Sequence, residues 1–176
     1  MFISKWKEAL ICLKAGRVTL PYPFVPRPTA EGFRGQPEVD GRRCIGCGEC
    51  ATVCPPRLIT LVDDGDSRAL KVDYSRCTYC ARCADVCPEK AIRLGNNYEL
   101  ATSQKEDLTM TVNLKMANCS LCGKPFAPER LLRKTGEKLT GGEFGQEAPE
   151  WLSWCPECRK TKQAKALGGV EAKDHV

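Results

Sequence analysis

Histidine is nearly absent from this 176-residue chain: His175 is the single one, and it stands in a lysine-rich tail where no site role is expected. No nucleophile or acid–base pair stands out elsewhere, so chemistry of the general acid–base kind is not expected of the chain itself. No run approaches the roughly 18 consecutive apolar residues of a membrane span, and no secretory leader is recognisable. Length excludes a large core as well, leaving room for one ordinary domain or two very small ones. Cysteine, by contrast, is abundant at thirteen. Without a leader, that abundance points to a reducing compartment in which thiolates stay available for metal, and metal can supply the stability that so small a core lacks.

Eight of the cysteines fall in two copies of one spelling, CIGCGECATVCP from Cys44 to Pro55 and CTYCARCADVCP from Cys77 to Pro88. Each reads C-x2-C-x2-C-x3-C-P, the bacterial ferredoxin arrangement for a [4Fe–4S] cluster, in which the fourth cysteine of one run ligates the cluster of the other. The expected sets are therefore crossed. Cys44, Cys47, Cys50 and Cys87 hold one cluster, and Cys77, Cys80, Cys83 and Cys54 hold the second. Gly46 and Gly48 permit the close backbone approach and unusual φ that aim amides at cluster sulfurs. Pro55 and Pro88 restrict the cysteines before them.

A shift of 33 residues superimposes Cys44 on Cys77, Cys54 on Cys87, Arg43 on Arg76, Asp40 on Asp73, Ile59 on Ile92 and Leu61 on Leu94. Because the repeat includes residues that are not ligands, it describes a duplicated structural unit. Short β-rich runs at 57–62 and 69–73 flank the turn signal DDGDS, and AIRL at 91–94 closes the second half. The fold class expected is α+β: a pseudo-twofold 2[4Fe–4S] ferredoxin domain with an N-terminal amphipathic helix and a C-terminal zinc-ribbon-like module. Disulfides or zinc at the eight cysteines are disfavoured, since a triplet followed by C-P makes a poor tetrahedral knuckle.

The formal charge of +5 suggests nucleic acid only until the metals are counted. Two four-thiolate cubes and one four-thiolate zinc, at about −2 each, bring the loaded protein to about −1. Ahead of the motifs, Ile3, Trp6, Leu10 and Leu13 form a helical apolar stripe beside Lys5, Lys7 and Lys14, with Gly16 as a stop. Such a helix suits a membrane interface or a protein surface equally. Cys12 beside the stripe reads as a small buried residue. LPYPFVPRP at 20–28 excludes helix and predicts an extended docking strap carried by Tyr22, Phe24, Val25 and Phe33.

Beyond Leu94, Ser103 followed by Glu106 fits a capping box and predicts a short helix over 104–116. Cys119, Cys122, Cys155 and Cys158 then form two C-x2-C knuckles, the spelling of a zinc ribbon, with Gly123 and Pro156 at the turns. Four thiolates also suit a single iron. Leu131, Leu132, Trp151, Leu152 and Trp154 are expected to cover the metal, and the loop TGEKLTGGEFGQEAP between the knuckles is polar. GEFGQEAPE is acidic where a nucleic-acid binder would need basic and aromatic residues, so no nucleic-acid partner is expected. The organisation expected is a helix and strap at 1–37, a ferredoxin domain at 38–95, a linker with a short helix at 96–118, the four-cysteine module at 119–160 and a tail at 161–176.

The order of basic N-terminus, YPF at 22–24, FRG at 33–35, double motif, YEL at 98–100, KEDL at 105–108 and CPEC at 155–158 resembles the two-cluster polyferredoxin subunit of formate hydrogenlyase and related membrane-bound, energy-converting [NiFe] hydrogenases. The likeness extends over almost the whole chain, and its first hundred or so residues also resemble the two-cluster subunit of respiratory complex I. The resemblance implies a non-catalytic electron relay at the cytoplasmic face of the membrane. Its partners would be the hydrogenase small subunit and other peripheral-arm subunits, a membrane-arm subunit against the N-terminal segment, and a formate dehydrogenase module, carbon monoxide dehydrogenase module or ferredoxin as electron donor or acceptor. It implies no nickel or quinone site on this chain. The alternatives are a complex I-type NADH:quinone oxidoreductase subunit and a diffusible ferredoxin; the C-terminal module departs from the first, and the basic N-terminus and proline run from the second.

Overall fold

The computed structural model describes residues 2–22, 24–25, 27–141 and 148–166, with the backbone alone for 2 and 3. Two compact units make up the chain, Met1–Phe33 and Arg34–Val176. In the first, α1 spans Phe2–Ala15 and stops where Gly16 adopts φ 60°, its N–H donating to the Cys12 carbonyl at 3.1 Å. Trp6, Leu10 and Leu13 are exposed on this helix. Cys12 is exposed as well, not buried as expected, because every described side chain of α1 faces solvent. The proline run is not extended throughout: Val25 N–H donates to the Pro21 carbonyl at 3.0 Å and closes a turn. Leu20, Tyr22, Phe24 and Val25 are exposed around it. No described helix is long and apolar enough to cross a membrane.

The second unit is built on antiparallel pairing. Strand β1 (Pro37–Val39) pairs with β4 (Ile92–Leu94), and β2 (Ile59–Asp64) turns through Gly65 and Asp66 into β3 (Ser67–Asp73). One-turn helices α2 (Glu49–Thr52) and α3 (Arg82–Asp85) carry the third cysteine of each run, Cys50 and Cys83. The 33-residue repeat is visible as a twofold exchange. Val39 faces Ile92 and Val72 faces Ile59, and all four are buried in one core with Leu58, Leu70 and Tyr74. The repeated aspartates also do one job twice: Asp40 Oδ1 accepts from Arg42 N–H at 2.8 Å, and Asp73 Oδ1 from Ser75 N–H at 2.9 Å. Each fixes the turn that enters a cysteine loop.

The expected helix over 104–116 is not formed. Lys105–Leu108 makes a single 3-10 turn, with Thr102, not Ser103, accepting at its start (Gln104 N–H to Oγ1, 3.0 Å), and Thr109–Asn118 is the longest strand, β5. The physical reason lies in TMTVNLKM, whose side chains alternate: Val112, Leu114 and Met116 are buried while Thr111, Asn113 and Lys115 are exposed. A period of two fits a half-covered strand and would scatter those side chains around a helix. β5 pairs along β3 and then with β6 (Pro125–Pro128), so one sheet of order β2-β3-β5-β6 runs from the cysteine repeat to the terminal knuckles. Glu129–Leu139 is helix α4, formed where part of a polar loop was expected, and Pro156–Ala166 is α5. Residues 142–147 of that loop, and His175, lie outside the described residues.

Alternation along β5 makes a direct prediction. Leu114→Ala should cost about 2–5 kcal/mol and Asn113→Ala under about 0.5 kcal/mol, read as the urea midpoint of the anaerobically prepared protein.

Candidate iron–sulfur and metal sites

Two small cavities of about 20 Å³ each are lined by the cysteines of the two runs. One is lined by Cys44, Cys47, Cys50 and Cys87, closed by Gly46, Leu70 and Ile92. The other is lined by Cys77, Cys80, Cys83 and Cys54, closed by Leu58, Ile59 and Leu94. Each lining set of four therefore draws three thiols from one run and one from the other. All thirteen cysteines are free thiols.

Backbone conformation explains how each loop brings its thiols to one point. Gly46 and Gly48 adopt φ 72° and 86°, and their equivalents one repeat later, Tyr79 and Ala81, adopt φ 52° and 67° without being glycine. These left-handed positions aim amides at sulfur. The Gly46 amide favours the Cys44 thiolate, and the Tyr79 amide favours that of Cys77. After each C-P step the chain closes a further turn, with Arg57 N–H on the Cys54 carbonyl at 3.0 Å and Lys90 N–H on the Cys87 carbonyl at 3.2 Å. Arg57 and Lys90 are the remaining non-glycine residues with positive φ among those described. Backbone strain is thus confined to equivalent positions of the two loops, where an imposed geometry overrides local preference.

Burial raises the Cys50 thiol to about 12 and the Cys83 thiol to about 11, with the neighbouring cysteines adding to the rise. Cys50 and Cys83 thus resist ionising without a cation beside them, and iron is the cation that all-thiolate loops of this spacing take. Donor set, cavity and amide directions all fit a cluster in each. The two sites differ in exposure: Cys44 and Cys50 are buried, whereas Cys80 in the second set is exposed.

Cations also lie against the first loop. Arg68 forks onto Asp63 at 2.6 and 2.7 Å and donates from Nη1 to the Gly46 carbonyl at 3.2 Å. Arg130 of α4 donates to the carbonyls of Gly41, Arg42 (3.1 Å) and Cys44 (3.4 Å). Neither arginine was marked out by the sequence. No motif signals them, because each acts on backbone carbonyls across a long sequence separation.

At the far end of the sheet, the thiol sulfurs of Cys119, Cys122, Cys155 and Cys158 lie within 4.8 Å of one another. Cys122 and Cys155 are 3.8 Å apart, about the edge of a sulfur tetrahedron around an ion with 2.3 Å metal–sulfur bonds. Gly123 N–H donates to the Cys119 carbonyl at 2.9 Å, and Cys155 N–H to Cys119 Sγ at 3.2 Å. Leu152 is buried, Trp154 is half-buried and Trp151 is exposed beneath the Arg159 guanidinium. Of the residues expected to cover the metal, Leu131, Leu132, Leu152 and Trp154 are at least partly enclosed.

Burial raises the Cys119 thiol, but the amides of Cys155, Cys122 and Leu121 outweigh it and lower the group to about 6, while Cys158, hydrogen-bonded to Cys155, is pushed up to about 12. Metal must displace the protons that remain. With its thiol lowered to about 6, Cys119 carries more of its charge at pH 7 than at pH 5, so zinc uptake by the metal-free site should release more protons per ion at pH 5. Calorimetry in buffers of different ionisation enthalpy reads the difference.

Comparison with known proteins agrees with this geometry. Residues 43–91 match the 4Fe-4S dicluster domain. Over 168 residues the chain is 36% identical to formate hydrogenlyase subunit 6 of Escherichia coli, covering 93% of each protein. It is 42% identical over 62 residues to F420H2 dehydrogenase subunit I of Methanosarcina mazei, 35% of each chain. With NADH-quinone oxidoreductase subunit I 1 of Symbiobacterium thermophilum it shares 43% over 49 residues, 25% of this chain and 30% of that one. The chain belongs to the family of electron-relaying iron–sulfur subunits that includes formate hydrogenlyase subunit 6.

Proposed function

We propose that this chain is a fixed electron relay in a membrane-associated hydrogenase-type complex, holding two [4Fe–4S] clusters and one structural zinc. The observation that carries the proposal is the pair of matched cavities, each lined by four thiols drawn from both halves of the repeat. Cys44, Cys47, Cys50 and Cys87 would hold one cluster, and Cys77, Cys80, Cys83 and Cys54 the other. Bound there, each cluster supplies one-electron transfer. Gly46 and Tyr79 present amides to sulfur, while Leu70 and Ile92 on one side and Leu58 and Leu94 on the other exclude water. The ferredoxin domain is assigned to 38–95, and the zinc-ribbon module to 119–160 with Cys119, Cys122, Cys155 and Cys158 as ligands.

Exposed Trp6, Leu10 and Leu13 on α1, and Leu20, Phe24 and Val25 after it, suit a segment that is covered by a membrane-arm subunit at the cytoplasmic face. The 93% extent of the hydrogenlyase match favours this branch over a complex I-type subunit, whose matched stretch is 49 residues. Electrons would pass between a donor or acceptor module and the hydrogenase small subunit.

Anaerobic purification of the full chain should give about eight iron, eight sulfide and one zinc. About four iron would remove the two-step relay, and nine iron without zinc would replace the structural zinc with a single-iron centre. Recovery from its own cells with a hydrogenase small subunit supports the assembly; recovery only as a free monomer speaks for a diffusible carrier.

A further inference from the structure

We propose that Arg130 is a positioning residue that sets the reduction potential of the cluster held by Cys44, Cys47, Cys50 and Cys87. This inference rests on the two-cluster reading above and deepens it. The four-cysteine module delivers this side chain. β6 leaves the first knuckle, sets buried Pro128 against Gly46 of the cysteine loop, and passes directly into α4 at Glu129, so that Arg130 lands on the carbonyls of Gly41, Arg42 and Cys44. α4 is held in turn from the second knuckle's side, where Gly136 fits against Ala148 and Leu152.

Charge separates Arg130 from the other arginines near the sites. Arg68 also touches the first loop, but Asp63 neutralises it at 2.6 Å. Among the described residues no carboxylate pairs with Arg130, and its side chain is half-buried, where a charge is poorly screened. Arg42 and Arg43 are exposed, and so is Arg82 at the rim of the second cavity. The first site alone therefore faces a fixed, uncompensated, poorly hydrated cation. A positive charge favours the state that carries one more electron, so Arg130 raises this potential relative to the second. No bond is made and no proton moves at Arg130; it acts only on where a single electron resides.

The test is an EPR-monitored redox titration of the full, anaerobically purified chain. Arg130→Gln, which keeps a hydrogen-bond donor and removes the charge, should lower one of the two potentials by about 59 mV, a tenfold change in the one-electron equilibrium, and leave the other in place with eight iron retained. Both potentials unmoved, or both moved equally, overturns the assignment. If Arg130→Gln loads fewer than eight iron, Arg130→Met takes its place, keeping an unbranched side chain and removing the charge. A fall in one potential alone supports the role, and no fall overturns it. A wild-type chain without two cluster signals would instead overturn the two-cluster reading, so the two failures are distinct.

Discussion

Cys47→Ser and Cys87→Ser should extinguish the same EPR signal although they stand in different motifs, and Cys80→Ser and Cys54→Ser should together extinguish the other. In each variant iron should fall from about eight to about four per chain, since each cube holds four. An uncrossed arrangement would instead pair Cys47 with Cys54 and Cys80 with Cys87. The geometry separates the two possibilities. Cys87 lines the cavity of Cys44, Cys47 and Cys50, with its sulfur accepting from the Ala91 amide at 3.2 Å, and Cys54 lines the cavity of Cys77, Cys80 and Cys83. Cys54 and Cys87 each line the cavity of the other run, so losing either ligand also loosens a link between the halves. The single-ligand variants should therefore lose urea resistance as well as iron, and Cys87→Ser, which unties the more buried site, should lose more than Cys54→Ser.

The cysteine chemistry was legible in the sequence because spacing alone fixes which thiols a tight loop can bring together. The repeat at 33 residues was legible for a related reason: ligands, turn aspartates and core isoleucines recur because the two halves are built alike. What escaped was the part that joins the halves to the C-terminus. TMTVNLKM follows a capping box, a local helix-start signal that the alternation making it β5 overrides. Its partner, β3, lies more than 35 residues upstream, so the strand is stabilised by pairing that no local window contains. Arg68 and Arg130 escaped for the same reason, since a guanidinium bound to distant carbonyls leaves no periodicity. Tyr79 and Ala81 show the opposite limit. Their positive φ contradicts their residue types and follows only from equivalence with Gly46 and Gly48.

At Gly46 a single methyl group should have a large effect. A Cβ on Gly46 would sit 2.6 Å from Leu114 Cδ1 and 2.9 Å from Pro128 Cγ, at φ 72°. Both neighbours are buried, Leu114 in β5 and Pro128 at the end of β6, so neither can swing away as an exposed side chain could. Left-handed strain of about 1–2 kcal/mol adds to overpacking of about 1–3 kcal/mol, and Gly46→Ala should destabilise the protein by about 2–5 kcal/mol. It should also shed the cluster of Cys44, Cys47, Cys50 and Cys87 first, leaving about four iron and the second signal. In the second loop the equivalent residue, Tyr79, carries a side chain at φ 52°. Ala81→Gly, relieving φ 67° at a position with little side chain to lose, should stabilise by up to about 1 kcal/mol after the entropy of the added glycine is offset. The pair of urea midpoints, one lowered and one level or raised, checks that β5 and β6 clamp the first loop alone. Equal losses in both variants, or an unchanged iron count in Gly46→Ala, would show that the terminal module does not bear on it.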